Sequence, residues 1–194
     1  MSARFDAAVA AIDEANADDP VRLVVVDGGE RAKELVHADL VEHWVRTLDA
    51  DATELQVLAA RAHHLRRWVV PRSDYPEGRS GYLRWRTDHK KRQAAEVAEI
   101  LRSAGYEDDE VEQVAGIVAK RHLATDPVVQ THEDALCLAF LQLQFDELTD
   151  QLGDDHMVEV VRKTLAKMSP AGIAAAGSLT LSDRGVRIVQ AASA

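Results

Sequence analysis

The sequence contains a single cysteine, few aromatic residues and no long apolar run. Because Cys137 is the only cysteine among the 194 residues, an internal disulfide framework is excluded, and a reducing compartment is expected. No apolar stretch approaches the ~20 residues that a membrane-spanning helix needs. The first residues carry a charge in every helical turn, which is not the pattern of a secretion signal. These absences predict a cytoplasmic protein with no membrane partner.

Positive charge is also scarce. The 23 lysines and arginines are outnumbered by 33 aspartates and glutamates, for a formal net charge of −10. Such an excess disfavours nucleic acid as a general partner, because phosphate backbones bind basic surfaces. The length predicts one domain over residues 1–194, with an Ala- and Gly-rich tail at 170–194. Whether the chain forms a homo-oligomer is left open.

Hydrophobic periodicity predicts an all-α fold. Stripes such as His37, Val41, Trp44 and Leu48 repeat with the spacing of one helical face. The predicted helices cover residues 5–16, 30–48, 53–68, 88–103, about 108–122, 131–148 and 155–168. One β-like run, at residues 21–26, allows at most one short strand. The expected architecture is a single-domain helical bundle.

Basic residues crowd into one segment, 61–91, although the chain as a whole is acidic. Prolines and glycines between positions 71 and 81 predict a loop there. Arginine forks and aromatic rings together favour binding of a small anionic molecule. The alternative is a solvated loop whose arginines pair with nearby carboxylates. The candidate substrate-binding residues are Arg72, Arg79, Arg84, Arg86, Tyr75 and Tyr82.

The same segment, AARAHHLRRWVVPRSDYPEGRSGYLRWR, resembles a family of unknown function known from bacteria and fungi. A second matching stretch, VRKTLAKMSPAG, lies downstream, and the resemblance extends from Phe5 to about Leu181. The family has no established reaction. Its fold and function must therefore be inferred from the residues.

Several polar residues occupy positions that should face a core. His37, His64, His122 and Asp134 lie on apolar stripes, and His89 lies at the edge of one. Because an unpaired buried carboxylate costs several kcal/mol, Asp134 is expected to meet a metal, a cation or hydrogen-bond donors. Neutral imidazole and carboxylate are ligands for Fe, Mn or Zn. Hydrogen-bonded core histidines, and an ion pair between Asp134 and an arginine, are the simpler alternatives.

The order of these residues is similar to that in the HD-domain superfamily of metal-dependent phosphohydrolases. That superfamily takes its ligands from a helical bundle in the order His, His-Asp, further His and a late Asp. The Asp of the central pair is replaced here by His64 or Leu65. The resemblance implies a metal bound by His64, His89 and Asp134, with His37, His63 and His122 as further ligands. It also implies Glu133 as general base.

Two functions follow as hypotheses. The first is a metal-dependent, HD-like hydrolase that acts on a small phosphorylated or otherwise anionic substrate. The second is a binding or regulatory domain without catalysis, which recognises a nucleotide or acidic metabolite through the arginines and aromatic rings.

Overall fold

Helices make up nearly all of the regular structure. The computed structural model describes residues 2–25 and 28–193, and within these ranges it contains ten α-helices and one pair of short strands. The all-α prediction is confirmed. The helices are α1 Ala3–Ala17, α2 Lys33–Leu48, α3 Glu54–Ala62, α4 Gly78–Ser103, α5 Asp108–Val118, α6 Pro127–Leu143, α7 Phe145–Leu152, α8 Asp154–Leu165, α9 Pro170–Ala176 and α10 Asp183–Ser193.

A small antiparallel ribbon precedes α2. Strand β1 (Arg22–Val24) pairs with β2 (Glu30–Ala32). The expected strand at 21–26 is thus shorter, its last residue lies outside the described ranges, and its partner occupies the predicted start of a helix. Helix α2 begins after the ribbon, where a carboxylate oxygen of Asp19 accepts the backbone N–H of Glu34 at 3.0 Å. This cap fixes the first turn of α2, which contributes to the site described below.

Three hydrophobic clusters hold the helices together. The first joins α1, α3, α4 and α5, and it includes the fully buried Ile12, Leu58 and Leu101. The second packs α2 against α6 around Val41 and Leu138. The third joins the end of α6 to α7, α8 and α10. Ile188 and Ala192 of α10 are buried there, so the end of the predicted tail is a packed helix.

Helices α3 and α4 differ from their predicted bounds. Helix α3 ends at Ala62, which leaves His63 and His64 in the turn that follows it. Helix α4 begins at Gly78 rather than near Asp88, so the end of the predicted basic loop is helical. A close approach explains part of this: a Cβ on Gly81 would lie 1.9 Å from the carbonyl oxygen of Pro76, so only glycine fits there.

Helices α5 and α6 also have different ends from those predicted. Helix α5 stops at Val118, and His122 lies beyond it with a left-handed φ of 61°. Asp126 caps α6, whereas Thr131 was expected to do so. The earlier start places His132 inside α6, where it is 2% exposed. Within the described ranges, no helix has the length and apolar character needed to cross a membrane.

Candidate metal centre

One carboxylate and two imidazoles converge between α2 and the turn after α3. Glu34, His37 and His64 each offer a ligand atom, and these atoms all lie within 4.8 Å of one another. We call these residues the triad. Glu34 and His37 are three positions apart and therefore share one face of α2. The ligand atoms of one Zn, Fe or Mn ion lie ~2.0–2.2 Å from the metal, and therefore somewhat closer to one another than 4.8 Å. A small adjustment of the three side chains would bring their ligand atoms to such positions.

Direct contacts hold the triad in place. The Nδ1 atom of His64 lies 3.0 Å from a Glu34 carboxylate oxygen, and the rings of His37 and His64 are stacked with centroids 3.8 Å apart. Glu34 and His37 are 6% and 3% exposed. A buried carboxylate next to two imidazoles is a donor set that borderline transition metals accept.

Burial controls the charge of the triad. It lowers the pKa of His37 and of His64 well below the ordinary value, with nearby positive charges acting in the same direction. Burial raises the pKa of Glu34, against the opposing influence of His37 and Arg67. The two imidazoles are therefore neutral near pH 7, which is the form that ligates a metal.

Arg67 forms one wall beside the triad. Its guanidinium lies over the ring of Trp85, 4.6 Å from the centroid. Burial lowers the pKa of Arg67, whereas Glu34 acts to raise it. The preceding residue, Arg66, has a left-handed φ of 48°, and this turn directs the chain from the histidines into the short 3₁₀ segment that contains Arg67. Arg67 was not among the predicted site residues.

His89 is close enough for its charge to act on Glu34 and His64, but it is not part of the triad. Its Nε2 atom is 2.8 Å from the carbonyl oxygen of Val70, and its Nδ1 atom is 3.5 Å from a nitrogen of Arg92. Trp85 donates to the same Val70 carbonyl at 3.0 Å. Both ring nitrogens of His89 are thus engaged with protein groups. The expectation that His89 shares an ion with His64 and Asp134 was wrong, because these three residues do not form a ligand group.

His63 and His132 form a second, fully enclosed pair. The Nδ1 atom of His63 lies 3.1 Å from Nε2 of His132, and the ring of His63 stands 5.3 Å from that of His64. Burial lowers the pKa of His132 to about 3. The pair is therefore neutral, and it holds the turn that carries His64. His63 was predicted as a ligand, but it lies beside the triad rather than in it.

Glu133 forms ion pairs with two lysines. Lys120 forms an ion pair with one of its oxygens, and Lys167 lies 3.0 Å from the other. Although burial acts in the opposite direction, the two ammonium groups lower the pKa of Glu133 to about 2. The role of Glu133 as general base stays a prediction, and its two ion pairs do not favour it.

Asp134 is buried, as expected, and its partners are hydrogen-bond donors, one of the three kinds of partner expected for it. It is 2% exposed and accepts hydrogen bonds from the backbone N–H of Ser169 at 2.9 Å and from the side chain of Gln130 at 2.9 Å. The Ser169 hydroxyl donates to it as well. Among the described residues, neither a histidine nor an arginine forms a hydrogen bond or an ion pair with it. Because these donors satisfy the carboxylate, Asp134 orders the start of α9 and is not a metal ligand here.

The predicted substrate arginines do not converge on the histidines. Arg72 donates to the carbonyls of Tyr75 and Pro76 and so fastens its own loop. Arg79 and Arg84 are exposed. Arg86 is exposed too, with its guanidinium 5.7 Å from the Tyr82 ring centroid, and its charge acts on the lysines that pair with Glu133.

Two other predicted site residues, Tyr75 and His122, also lie outside the triad. Tyr75 donates its hydroxyl to Asp88 at 3.0 Å, which helps to tie the loop to α4. His122 is exposed, because α5 ends before it. Its prediction as a ligand was wrong, since the helical stripe that placed it inward does not extend that far.

The sequence contained signals for some of the missed residues. Glu34 precedes His37 by three positions, a spacing that places two ligands on one helical face. His132 is adjacent to Glu133, but the predicted cap at Thr131 concealed its interior position. Lys120 gave no local signal. Its proximity to Glu133 arises from the packing of the segment after α5 against α6.

Two grooves lie elsewhere, between α1 and α4. Their volumes are about 380 and 320 Å³. Their walls are mainly small and apolar side chains with glutamates at the edges, and they include no member of the triad. The convergence of candidate ligands, rather than groove size, therefore identifies the candidate centre.

The comparisons with known proteins agree with the first resemblance. Residues 6–189 match the family described as a domain of unknown function, DUF4202. The chain belongs to this family. No curated protein and no solved structure matches it significantly. The similarity to HD-domain phosphohydrolases is not shown by these comparisons, and the DUF4202 match assigns no reaction.

Proposed function

We propose that this DUF4202 protein is a metal-dependent hydrolase that acts on a small anionic substrate. The observation that carries the proposal is the triad: one carboxylate and two neutral imidazoles, largely buried, with ligand atoms within 4.8 Å of one another. Glu34, His37 and His64 would hold one Zn, Fe or Mn ion. When bound, such an ion lowers the pKa of a coordinated water toward neutrality.

The surrounding residues have supporting roles in this proposal. His63 and His132 keep the His64 turn in position through their mutual hydrogen bond. Arg67 supplies a positive charge beside the triad and is held there by Trp85. An anionic substrate would be attracted to this positive charge despite the net negative charge of the chain. A single buried thiol, Cys137, is in keeping with a cytoplasmic location.

A hydrolysis assay tests the proposal. Protein loaded separately with Zn²⁺, Mn²⁺ or Fe²⁺ is supplied with a panel of small phosphate monoesters, and released phosphate is measured. We expect metal-dependent turnover that His37→Ala reduces at least ~100-fold, because the ion is no longer held. His43→Ala is the matched control, since His43 is on the same helix and exposed. Turnover that is insensitive to His37→Ala would contradict the proposal.

One observation favours a second function. Arg67 and Arg86 each lie over an aromatic ring, and Tyr82 is 43% exposed. Stacking surfaces next to guanidinium groups can bind a nucleotide or acidic metabolite without catalysis. Metal-independent binding of such a ligand, with no turnover by any metal-loaded form, would favour this alternative.

A further inference from the structure

The lysines around Glu133 carry more positive charge than the carboxylate can neutralise. Lys120 and Lys167 both contact this one buried group. Each ammonium has three donors, and its contact with Glu133 accounts for one of them. Among the residues that the structure describes, no second carboxylate forms an ion pair with either lysine. Donors are therefore left over for a ligand.

These donors can be reached from solvent. The side chain of Lys120 is 12% exposed and that of Lys167 is 39% exposed, whereas Glu133 beneath them is 3% exposed. The carboxylate is thus more deeply buried than either of the two lysine side chains. An arriving anion would meet the lysines before it met the glutamate.

A third cation, Arg86, acts on both lysines through its charge. It lowers the pKa of Lys120 and opposes the upward shift of the pKa of Lys167, although burial is the largest influence on each. Within the described ranges, Arg86 has an aromatic partner, Tyr82, and no carboxylate partner. Three cations around one carboxylate leave two positive charges, which a dianion would neutralise.

The backbone at Lys120 is itself unusual. Its φ of 56° lies in the left-handed region, which disfavours residues with a Cβ. This conformation turns the chain directly after α5 and brings the ammonium to Glu133. Glycine would relieve the strain but would remove the cation.

The lysines adjoin the triad. His132, next to Glu133 in α6, contacts His63, which precedes His64. The charge of Lys120 also reaches both His63 and His64, where it adds to the effect of burial in lowering each pKa. The lysines and the triad are therefore linked through His132 and His63.

We propose that Lys120, Lys167 and Arg86 bind the dianionic phosphoryl group of a phosphate monoester beside the triad. This inference rests on the proposed function for its reaction, because it names the substrate class of the same site. The binding step itself does not need the metal. Lysine and arginine supply charge-assisted hydrogen bonds to phosphate oxygens, and the buried Glu133 holds the two ammonium groups in place.

Calorimetric titration of inorganic phosphate into metal-free protein tests this inference. We expect wild-type protein to bind one phosphate per chain, and Lys167→Met and Arg86→Gln each to weaken binding by about tenfold or more, as for a lost charge-assisted hydrogen bond. Arg86 is exposed, so its replacement should leave folding intact. The matched controls are Lys163→Met and Arg84→Gln, which change exposed residues at i−4 and i−2 and should bind as wild type does.

The outcomes separate this inference from the proposed function. The proposed phosphate-binding site would be contradicted if the wild-type protein bound no phosphate, or if all variants bound it equally. Selective loss in Lys167→Met and Arg86→Gln would support it, even in a protein that binds no metal. Selective loss of phosphate binding in a protein that binds no metal would contradict the metal-dependent reaction and would still support the phosphate-binding site.

Discussion

Two buried ionic networks in this protein have opposite compositions. In the first, the guanidinium of Arg61, 8% exposed, is surrounded by Asp13, Asp39 and Glu42, each at least one-fifth exposed. In the second, the carboxylate of Glu133 is paired with Lys120 and Lys167. Three carboxylates thus surround one guanidinium, and two of them, Asp39 and Glu42, also pair with Arg31 and Arg46. The lysine network has more base than acid, against the charge of the chain.

The difference indicates different roles. The forked guanidinium of Arg61 makes four hydrogen bonds to its three carboxylates, so few donors remain. It joins α1, α2 and α3 and stabilises the fold. The lysine network instead keeps surplus donors near the triad. A buried cation that is saturated with carboxylates is structural, whereas a buried carboxylate with surplus cations can receive a ligand.

The largest expected effect comes from breaking the arginine network. Arg61→Leu should lower the free energy of unfolding by about 3 kcal/mol, because three carboxylates lose a buried partner. Urea unfolding measures this change. Arg31→Leu is the control, since Arg31 is 45% exposed in its pair with Asp39 and should cost less than about 1 kcal/mol. Similar losses in the two variants would contradict a structural role for Arg61.

The next effect concerns the lysine network. Glu133→Gln should lower the free energy of unfolding by about 2 kcal/mol, because two ammonium groups lose the buried carboxylate with which both are paired. Phosphate should then bind more tightly than to wild type and should restore much of the lost stability. Thermal unfolding with and without phosphate measures both effects. Asp13→Asn in the arginine network should show no such rescue, and equal responses of the two variants would remove the distinction.

Lowering the pH should also affect the contributions of the two networks to stability differently, because buried histidines lie beside the lysine network. The pKa of His132 falls to about 3 through burial, from an ordinary value near 6.5. Between these values the unfolded chain binds a proton that the folded chain does not. The contribution of His132 to stability is therefore complete above pH 6.5 and is lost as the pH falls toward about 3, by about 1.4 kcal/mol per pH unit.

Urea unfolding at pH 7, 6, 5 and 4 tests this dependence. His132→Gln should show a shallower loss of stability with falling pH than wild type. His156→Gln, which changes an exposed histidine, should follow the wild-type curve. An unchanged slope in His132→Gln would show that this histidine is not held neutral by burial.

The smallest effect is expected at an exposed pair. Arg84 and Asp88 lie 3.9 Å apart with side chains 75% and 43% exposed. Arg84→Ala should change the free energy of unfolding by less than about 0.5 kcal/mol. A loss of more than 1 kcal/mol in urea unfolding would mean that Arg84 has a structural role that its exposure does not suggest.

Periodicity predicted the fold because the helices bury regular apolar stripes. Val41 and Trp44 on α2, and Leu138 and Leu141 on α6, are all buried as their spacing requires. The bounds of α4 could not be predicted in the same way. They depend on the packing of Gly81 against Pro76, whereas the prolines and glycines of this segment are typical of a loop.

The site was predictable only in part for a related reason. His37 and His64 stood out as polar residues on apolar faces, and the triad contains both. Asp134 stood out equally, but its donor, Ser169, is 35 residues further along the chain and has no periodic relation to it. Local patterns identify which polar groups are buried. Tertiary packing determines which partner each one meets.

Metal binding tests the central claim of this account most directly. Equilibrium dialysis against Co²⁺, followed by visible absorption spectroscopy, measures both stoichiometry and ligand environment. Wild-type protein and His43→Ala should bind one ion per chain with the same ligand-field spectrum, whereas Glu34→Gln and His37→Ala should bind it at least ~10-fold more weakly. No bound ion in wild-type protein, or equal binding by all four proteins, would contradict a metal centre at Glu34, His37 and His64.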